Sequence, residues 1–277
     1  MPDQTIIDVK GARVPALGFG TWQITGRACV RAVRTALDLG YRHIDTAQIY
    51  DNEAEVGEAI AESAIDRSEV FLTTKVWYER LAAGTLEASV EESLKKLQVD
   101  QVDLLLIHWP NPKIDLAETM RALEGVKAAG RAKLIGLSNF PVALMKRVVE
   151  ELGVDVAADQ VEYHPYLNQD PVLAYARAHG MMVTAYSPLA RGKVADDPVI
   201  REIAEAHDAS PAQVVLRWLI DQPMVSAIPK AGSEAHIRAN LAALDIRLSD
   251  AERAKIDTLR GNGRMINPSF APEWDAA

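Results

Sequence analysis

The chain has 277 residues, 48% of them hydrophobic and 25% charged, which predicts one domain, residues 1–277, around a single large core. The net charge of −9 at pH 7 would repel nucleic acid, and neither a run of about 18 apolar residues nor an N-terminal signal pattern is present, so we expect no nucleic-acid partner and no membrane segment. Cys29 is the only cysteine, which excludes an intrachain disulfide and a thiolate zinc site and favours the cytoplasm.

The predicted elements begin with a hairpin and continue as strands that alternate with helices. The hairpin pairs residues around 5–9 with residues 13–16 across a turn at Lys10 and Gly11. Two helices, within 197–207 and 210–221, are predicted before the last strand. Eight strands are predicted, at 15–19, 42–45, 70–75, 102–108, 133–138, 156–160, 181–186 and 224–229.

This order predicts an α/β fold, a (β/α)8 TIM barrel whose bottom is capped by the N-terminal β-hairpin. Strand, helix and strand in constant alternation imply parallel pairing with right-handed crossovers, and eight such units can close on themselves. The alternative is an open doubly wound sheet with the fingerprint G-x-G-x-x-G. Gly18 and Gly20 begin that fingerprint, but Gln23 stands at its third glycine position, so the barrel is favoured.

Polar residues stand at the carboxyl ends of nearly all the predicted strands. In a parallel barrel these ends meet at one face, which is where barrel enzymes carry their active sites. One such residue alone is more often a cap or a surface group, but the set together indicates a functional site. Its members are Asp45, Lys75, His108, Ser138, Asn139, Gln160, Tyr186 and Lys230.

Three of these polar side chains, together with the nearby Tyr50, suit the reduction of a carbonyl group, which needs a hydride at carbon and a proton at oxygen. Tyr50 would supply the proton, because a lysine ammonium beside a phenol lowers the phenol pKa from about 10 toward the working range. Asp45 would hold Lys75 charged and in place, and His108 would bind the substrate oxygen. This chemistry requires no metal.

Several segments closely resemble signatures of the aldo-keto reductases. They are GYRHIDTAQIYDNEAEVG at 40–57, KLIGLSNF at 133–140, LTTKVW around Lys75 and LLLIHWP around His108, and the resemblance runs from Val14 to about Leu259. It implies NAD(P)H-dependent reduction of aldehydes and ketones to alcohols. The implied catalytic residues are Asp45, Tyr50, Lys75 and His108, with Tyr50 as the general acid.

The resemblance also implies a site for NADPH. Lys230 stands where the family binds the 2′-phosphate, but Ala231 replaces a hydroxyl residue and His236 replaces an arginine, so we expect a modest preference for NADPH, with NADH also accepted. The residues implied to bind the cofactor are Gly20, Thr21, Trp22, Ser138, Asn139, Gln160, Tyr186, Ser187, Pro188, Leu189, Lys230, Ser233, His236 and Asn240.

Within the family, the chain resembles the bacterial 2,5-diketo-D-gluconate reductases, whose members also reduce methylglyoxal, and its ending, APEWD at 271–275, resembles that of the shorter B type. This implies a small carbonyl substrate, either an α-dicarbonyl such as methylglyoxal or 2,5-diketo-D-gluconate, and we expect a monomer. The residues expected to wall the substrate pocket are Trp22, Trp77, Trp109 and Trp274. For Trp274, in the C-terminal tail, packing on the outside is the alternative.

Two other functions stay open on the sequence. A metal-dependent barrel hydrolase could use His43, His108, His164 and Asp45, and chelator-sensitive activity without nicotinamide would select it. A nucleotide-sensing protein of the same fold would bind the cofactor without turning over any carbonyl.

Overall fold

The computed structural model describes residues 4–275 and begins with an antiparallel hairpin of β1 (Ile6–Val9) and β2 (Ala12–Pro15). Lys10 and Gly11, the two turn residues, have φ values of 47° and 81°. Positive φ at both central positions matches the right-handed twist of the flanking strands. The predicted hairpin is therefore confirmed within a residue at each end.

Eight parallel strands form the central sheet, and each pairs with the strands that precede and follow it in the chain. Parallel bridges from Leu17 to Ala227 and from Gly20 to Lys230 join the first strand to the last. This order is that of an α/β barrel and differs from that of a doubly wound sheet. The strands are β3 (Phe19–Gly20), β4 (His43–Asp45), β5 (Phe71–Val76), β6 (Val102–Ile107), β7 (Ala132–Ser138), β8 (Ala158–Glu162), β9 (Met182–Tyr186) and β10 (Val225–Ala227).

The predicted first strand, 15–19, is corrected by the structure. Pro15 belongs to the hairpin, and the regular barrel strand covers only Phe19–Gly20. Gly20 lies where the first strand meets the last: a Cβ on it would stand 2.8 Å from the carbonyl oxygen of Ile228, too close for any side chain. A glycine there lets the two strands approach at the edge of the barrel mouth.

Helices connect the strands. Gly40, with φ 111°, ends the first helix in the left-handed conformation. The two helices predicted before the last strand are both present. The helices are α1 (Gly26–Leu39), α2 (Glu53–Ala61), α3 (Thr85–Leu97), α4 (Leu116–Ala128), α5 (Val142–Lys146), which continues as a π-helical turn (Arg147–Glu151), α6 (Asp170–Ala178), α7 (Pro198–Ala206), α8 (Pro211–Ile220), α9 (Glu234–Leu241) and α10 (Asp250–Asp257).

The hairpin lies at the amino ends of the strands, away from the polar residues at the carboxyl ends. Lys10 on its turn pairs with Asp155 at 2.6 Å, just before β8. The hairpin side chains share a cavity of about 800 Å³ with Phe71, Asp103 and Lys133, which stand near the starts of β5, β6 and β7. Between residues 4 and 275, no helix is long and apolar enough to cross a membrane.

Candidate active site

A cavity of about 500 Å³ opens at the carboxyl ends of the strands. It collects residues from the loops after seven of the eight barrel strands and from the C-terminal segment, although these lie far apart in the sequence. Its walls are Gly20, Thr21, Trp22, Asp45, Ile49, Tyr50, Trp77, His108, Trp109, Asn139, Gln160, Tyr186, Ser187, Pro188, Arg191, Ile228, Lys230, Met265, Ile266, Asn267 and Pro268.

Lys75, on β5, is the centre of a buried polar cluster below this cavity. Its Nζ donates to Asp45 Oδ1 at 2.5 Å, to the carbonyl oxygen of Thr46 at 2.8 Å and to the Tyr50 hydroxyl at 3.4 Å. The lysine and aspartate side chains are 0% and 1% exposed. A charge pair so completely removed from water is stable only when its hydrogen bonds are satisfied, and here the ammonium has three acceptors.

Tyr50 is placed by a short 3-10 helix (Gln48–Tyr50) that follows β4. The side chain of Gln48 fixes this helix, because its Oε1 accepts from the backbone N–H of Trp77 at 3.0 Å and its Nε2 donates to Ser89. The Tyr50 ring meets the His108 ring edge to face, with centroids 5.7 Å apart. The phenol and the imidazole thus face the same part of the cavity.

Burial dominates the electrostatics of these residues. It raises the pKa of Tyr50 well above its usual value, and the nearby Asp45 carboxylate adds to this rise. The net shift is therefore upward, opposite to the fall toward the working range that the sequence predicted, because burial outweighs the effect of the Lys75 ammonium. Burial also lowers the pKa of Lys75, against the opposing effect of Asp45, and burial and then Lys75 lower the pKa of His108 well below 6.5.

A chain of hydrogen bonds connects the ends of β6, β7 and β9. Asn139, with φ 64°, turns its side chain so that Nδ2 donates to the carbonyl oxygen of His108 at 2.9 Å. Its Oδ1 accepts from the Tyr186 hydroxyl at 2.7 Å. The Ser138 hydroxyl does not line the cavity; it donates to the carbonyl oxygen of Gln160 at 2.8 Å and so supports the lining residues from behind.

Three of the four predicted tryptophans line the cavity. Trp22 is 42% exposed, Trp109 is buried, and the Trp77 ring contacts the His108 ring at 5.3 Å. Trp274 does not line it: its ring lies 6.0 Å from that of Trp109 and faces a second cavity, of about 500 Å³, between the C-terminal segment and the loop before α6. There the Arg264 guanidinium stacks on the indole ring, and the Asn267 side chain accepts a hydrogen bond from the indole N–H.

Of the predicted cofactor residues, nine lie on the cavity wall: Gly20, Thr21, Trp22, Asn139, Gln160, Tyr186, Ser187, Pro188 and Lys230. Five do not: Ser138, Leu189, Ser233, His236 and Asn240. Ser233 caps α9 through a bond from the backbone N–H of His236, and the His236 side chain is exposed just past Lys230. Glu234, in the first turn of α9, pairs with Arg238 at 2.8 Å.

Six lining residues escaped the sequence analysis: Ile49, Arg191, Met265, Ile266, Asn267 and Pro268. Most lie in loops or in the C-terminal segment, which carry no periodic pattern. Arg191 had a weak local signal, because Gly192 follows it in a loop where both residues adopt positive φ.

The residues of the metal-hydrolase alternative are not brought together. His43 bonds to the carbonyl oxygen of Pro15 at 3.1 Å on the hairpin side, whereas His164 contacts Glu162 at 3.0 Å. Among residues 4–275, no three His, Cys, Asp or Glu side chains are grouped so as to hold a metal ion.

Comparisons with known proteins agree with this geometry. A family model described as the aldo/keto reductase family matches residues 16–260. Methylglyoxal reductase DkgB of Salmonella typhi is 44% identical over 266 residues, which cover 95% of this chain and 99% of the relative. Glyoxal reductase of Bacillus subtilis is 40% identical over 257 residues, 92% of each chain.

Solved structures are similar over nearly the whole length. A crystal structure provisionally named 2,5-diketo-D-gluconic acid reductase B has a TM-score of 0.96 and 47% identity, with 99% of both chains covered. A variant of the protein Gox0644 in complex with NADPH has a TM-score of 0.90 and 33% identity, covering 96% of this chain and 97% of that one.

Proposed function

The chain belongs to the aldo/keto reductase family, and we propose that it uses a nicotinamide dinucleotide to reduce aldehydes and ketones to alcohols. The observation that carries this proposal is the position of the Lys75 ammonium between the Asp45 carboxylate and the Tyr50 hydroxyl, directly below an open cavity. A phenol beside a buried cation can give up a proton and have its anion stabilised at once.

In this mechanism Tyr50 is the general acid. Because its pKa is raised, the phenol is protonated at neutral pH and holds the proton that the developing alkoxide oxygen needs. The Lys75 ammonium stabilises the phenolate left behind, and Asp45 keeps that ammonium charged inside the barrel. His108 is neutral, since its pKa is lowered, and orients the carbonyl oxygen through a ring nitrogen.

The residues present fit a nicotinamide dinucleotide. The buried amides of Asn139 and Gln160 offer hydrogen-bonding groups for a carboxamide, and Tyr186 offers an aromatic face. The exposed Lys230, on the wall of the same cavity, offers a cation for a phosphate. When bound, the reduced nicotinamide supplies the hydride. The role of this chain is to bind, orient and protonate.

The names of the relatives support a small dicarbonyl substrate, and we propose methylglyoxal or 2,5-diketo-D-gluconate. The cavity itself, with aromatic walls at Trp22, Trp77 and Trp109 and a polar floor, suits a compact molecule with adjacent oxygens. Since one chain supplies all these walls, we propose that a monomer is active, and that it acts in the cytoplasm.

We further propose that NADPH is preferred to NADH. Lys230 provides a charge for the 2′-phosphate, and the start of α9, capped by Ser233, adds backbone N–H groups and a favourable dipole. A neutral imidazole at His236 offers one hydrogen-bond donor, whereas an arginine would donate two parallel hydrogen bonds to the phosphate. The preference for NADPH over NADH is therefore modest.

The test is a panel of carbonyls, including methylglyoxal and 2,5-diketo-D-gluconate, followed by the loss of NADPH absorbance. The proposal predicts turnover of at least one dicarbonyl, and this activity should survive prolonged chelation. Binding of NADPH without turnover of any carbonyl would instead favour the nucleotide-sensing protein.

A further inference from the structure

The C-terminal segment forms an arch over the barrel mouth, which we define as residues 264–270. Near one end, the backbone of Met265 and Ile266 lies against the end of β8. At the other end, Phe270 stacks on Tyr78 at 4.4 Å and meets Trp77 at 5.9 Å, beyond the end of β5. The arch therefore crosses the mouth from one strand to another, and its residues 265–268 form one wall of the cavity.

Glu162, the last residue of β8, holds the near end of this arch. Its Oε1 accepts from the backbone N–H of Met265 at 2.8 Å, and its Oε2 accepts from that of Ile266 at 2.9 Å. The Glu162 side chain is 0% exposed. Two backbone donors on one buried carboxylate form a pair of charge-assisted bonds, which are stronger than neutral ones.

Two neighbours keep Glu162 in this orientation. His164 Nε2 lies 3.0 Å from its Oε1 and contributes a third hydrogen bond, with the N–H on Nε2. The guanidinium of Arg264 stands 3.9 Å from Oε2 and stacks on Trp274, so it offsets the buried negative charge from the arch side. The Glu162 carboxylate therefore bonds to the arch and has no direct contact with the Lys75 cluster.

The register of β8 connects the arch to the reacting groups. Residues two apart on a strand point to the same face, so Gln160 and Glu162 both face the barrel mouth. Gln160 donates to Asp45 Oδ2 at 2.8 Å, beside the catalytic lysine, while Glu162 fixes the wall opposite. One strand thus sets the distance between the polar floor of the cavity and the arch.

We propose that Glu162 is a positioning residue that sets the affinity for the larger carbonyl substrates by holding the arch in place. The inference rests on the proposed function. The reacting carbonyl lies at Tyr50 and His108, and Trp77 separates His108 from Phe270, with ring centroids 5.3 Å and 5.9 Å away. A six-carbon substrate extends farther from the reacting carbonyl toward the arch than a three-carbon one. Its binding therefore depends more on Glu162.

The variant Glu162→Gln tests this inference with little change of shape. The amide keeps one acceptor, but its NH2 group faces a backbone N–H, so at least one of the two arch bonds is lost. The matched control is Asp159→Asn on the same strand, a buried carboxyl whose pKa is raised by burial and whose polar neighbour is the backbone of Phe140; it makes no hydrogen bond to the arch.

Two measurements are made on wild type and both variants. Steady-state kinetics with saturating NADPH should give for Glu162→Gln a KM about tenfold higher for 2,5-diketo-D-gluconate and a smaller rise for methylglyoxal, with kcat changed by less than about threefold. Hydrogen exchange should be faster at the amides of Met265 and Ile266 in this variant alone.

The results separate the inference from the function beneath it. Unchanged exchange at both amides, an unchanged KM for 2,5-diketo-D-gluconate, or equal losses for both substrates with a lower Tm would overturn the role of Glu162. A wild-type protein that reduces neither substrate would contradict the proposed function, whereas hydrogen exchange would still report whether Glu162 holds the arch.

Discussion

Asp45 and Lys75, 30 residues apart in the chain, form an ion pair of 2.5 Å inside the barrel with almost no exposed surface. The neighbouring strands β4 and β5 place the two side chains side by side, and Gln160 from β8 occupies the second carboxylate oxygen. The Lys75 ammonium is therefore fixed on one side by the Asp45 carboxylate. On the other side it donates a hydrogen bond to the Tyr50 hydroxyl.

Removal of the anion should cost both stability and activity. In Asp45→Asn the buried ammonium loses its charge partner, and breaking such a pair typically costs about 3–5 kcal/mol. We expect a large fall in the free energy of unfolding, measured with urea, and a fall in kcat, because the pKa of Lys75 drops further and the phenolate loses its cation.

Asp103→Asn is the matched control for that variant. Asp103 pairs with Arg67 at 2.8 Å and Lys133 at 2.7 Å near the amino ends of the strands, and both cations are partly exposed to water. Water can replace the lost partner, so we expect a smaller loss of stability and unchanged kcat. Equal effects of the two substitutions would contradict a special role for the buried pair.

The rate of reduction should be nearly independent of pH in the neutral range. Burial raises the pKa of Tyr50, so the acid keeps its proton, and it lowers the pKa of His108 below 6.5, so the imidazole stays neutral. Neither group changes its charge between pH 6 and 8. With saturating NADPH, kcat/KM for methylglyoxal should vary by less than about threefold over this range. A steep loss of rate as pH falls through about 6.5 would mean that His108 titrates there.

Cofactor preference should depend on Lys230, which precedes α9, and on His236, which lies in its first turn. His236→Arg should lower the KM for NADPH and leave that for NADH nearly unchanged, because a guanidinium can donate two parallel hydrogen bonds to the 2′-phosphate, which only NADPH carries. Lys230→Gly should shift the balance toward NADH. Strict use of NADPH by the wild type, unaltered in His236→Arg, would show that this site is not weakened.

The sequence predicted the barrel and the polar strand ends of the cavity from local patterns, whereas Gly20, Thr21, Ser187 and Pro188 were implied by the resemblance to a family. Strand ends carry Asp45, Lys75, His108, Asn139 and Gln160, and parallel closure alone is enough to bring them together. Boundaries were accurate where glycine fixed the chain, as at the Lys10–Gly11 turn, and poorer at β3, whose pairing depends on the distant β10.

Contacts over long sequence distances were beyond prediction. The bonds from Met265 and Ile266 to Glu162 span 103 and 104 residues, and nothing in the local sequence marks them. The sequence left two positions open for Trp274, closing the pocket or packing on the outside, and its contacts with Arg264 and Asn267 place it outside. The pKa of Tyr50 was misjudged because the charge of Lys75 was weighed without the depth of burial.

The central claim is that Tyr50 supplies the proton, and single-turnover reduction of methylglyoxal by Tyr50→Phe with bound NADPH tests it most directly. Tyr41→Phe is the control, since Tyr41 is a buried phenol that donates to the carbonyl oxygen of Ile237, outside the cavity. The account predicts that Tyr50→Phe binds NADPH like wild type and reduces at least about 10²-fold more slowly, while Tyr41→Phe keeps its rate. More than about a tenth of the wild-type rate in Tyr50→Phe would contradict it.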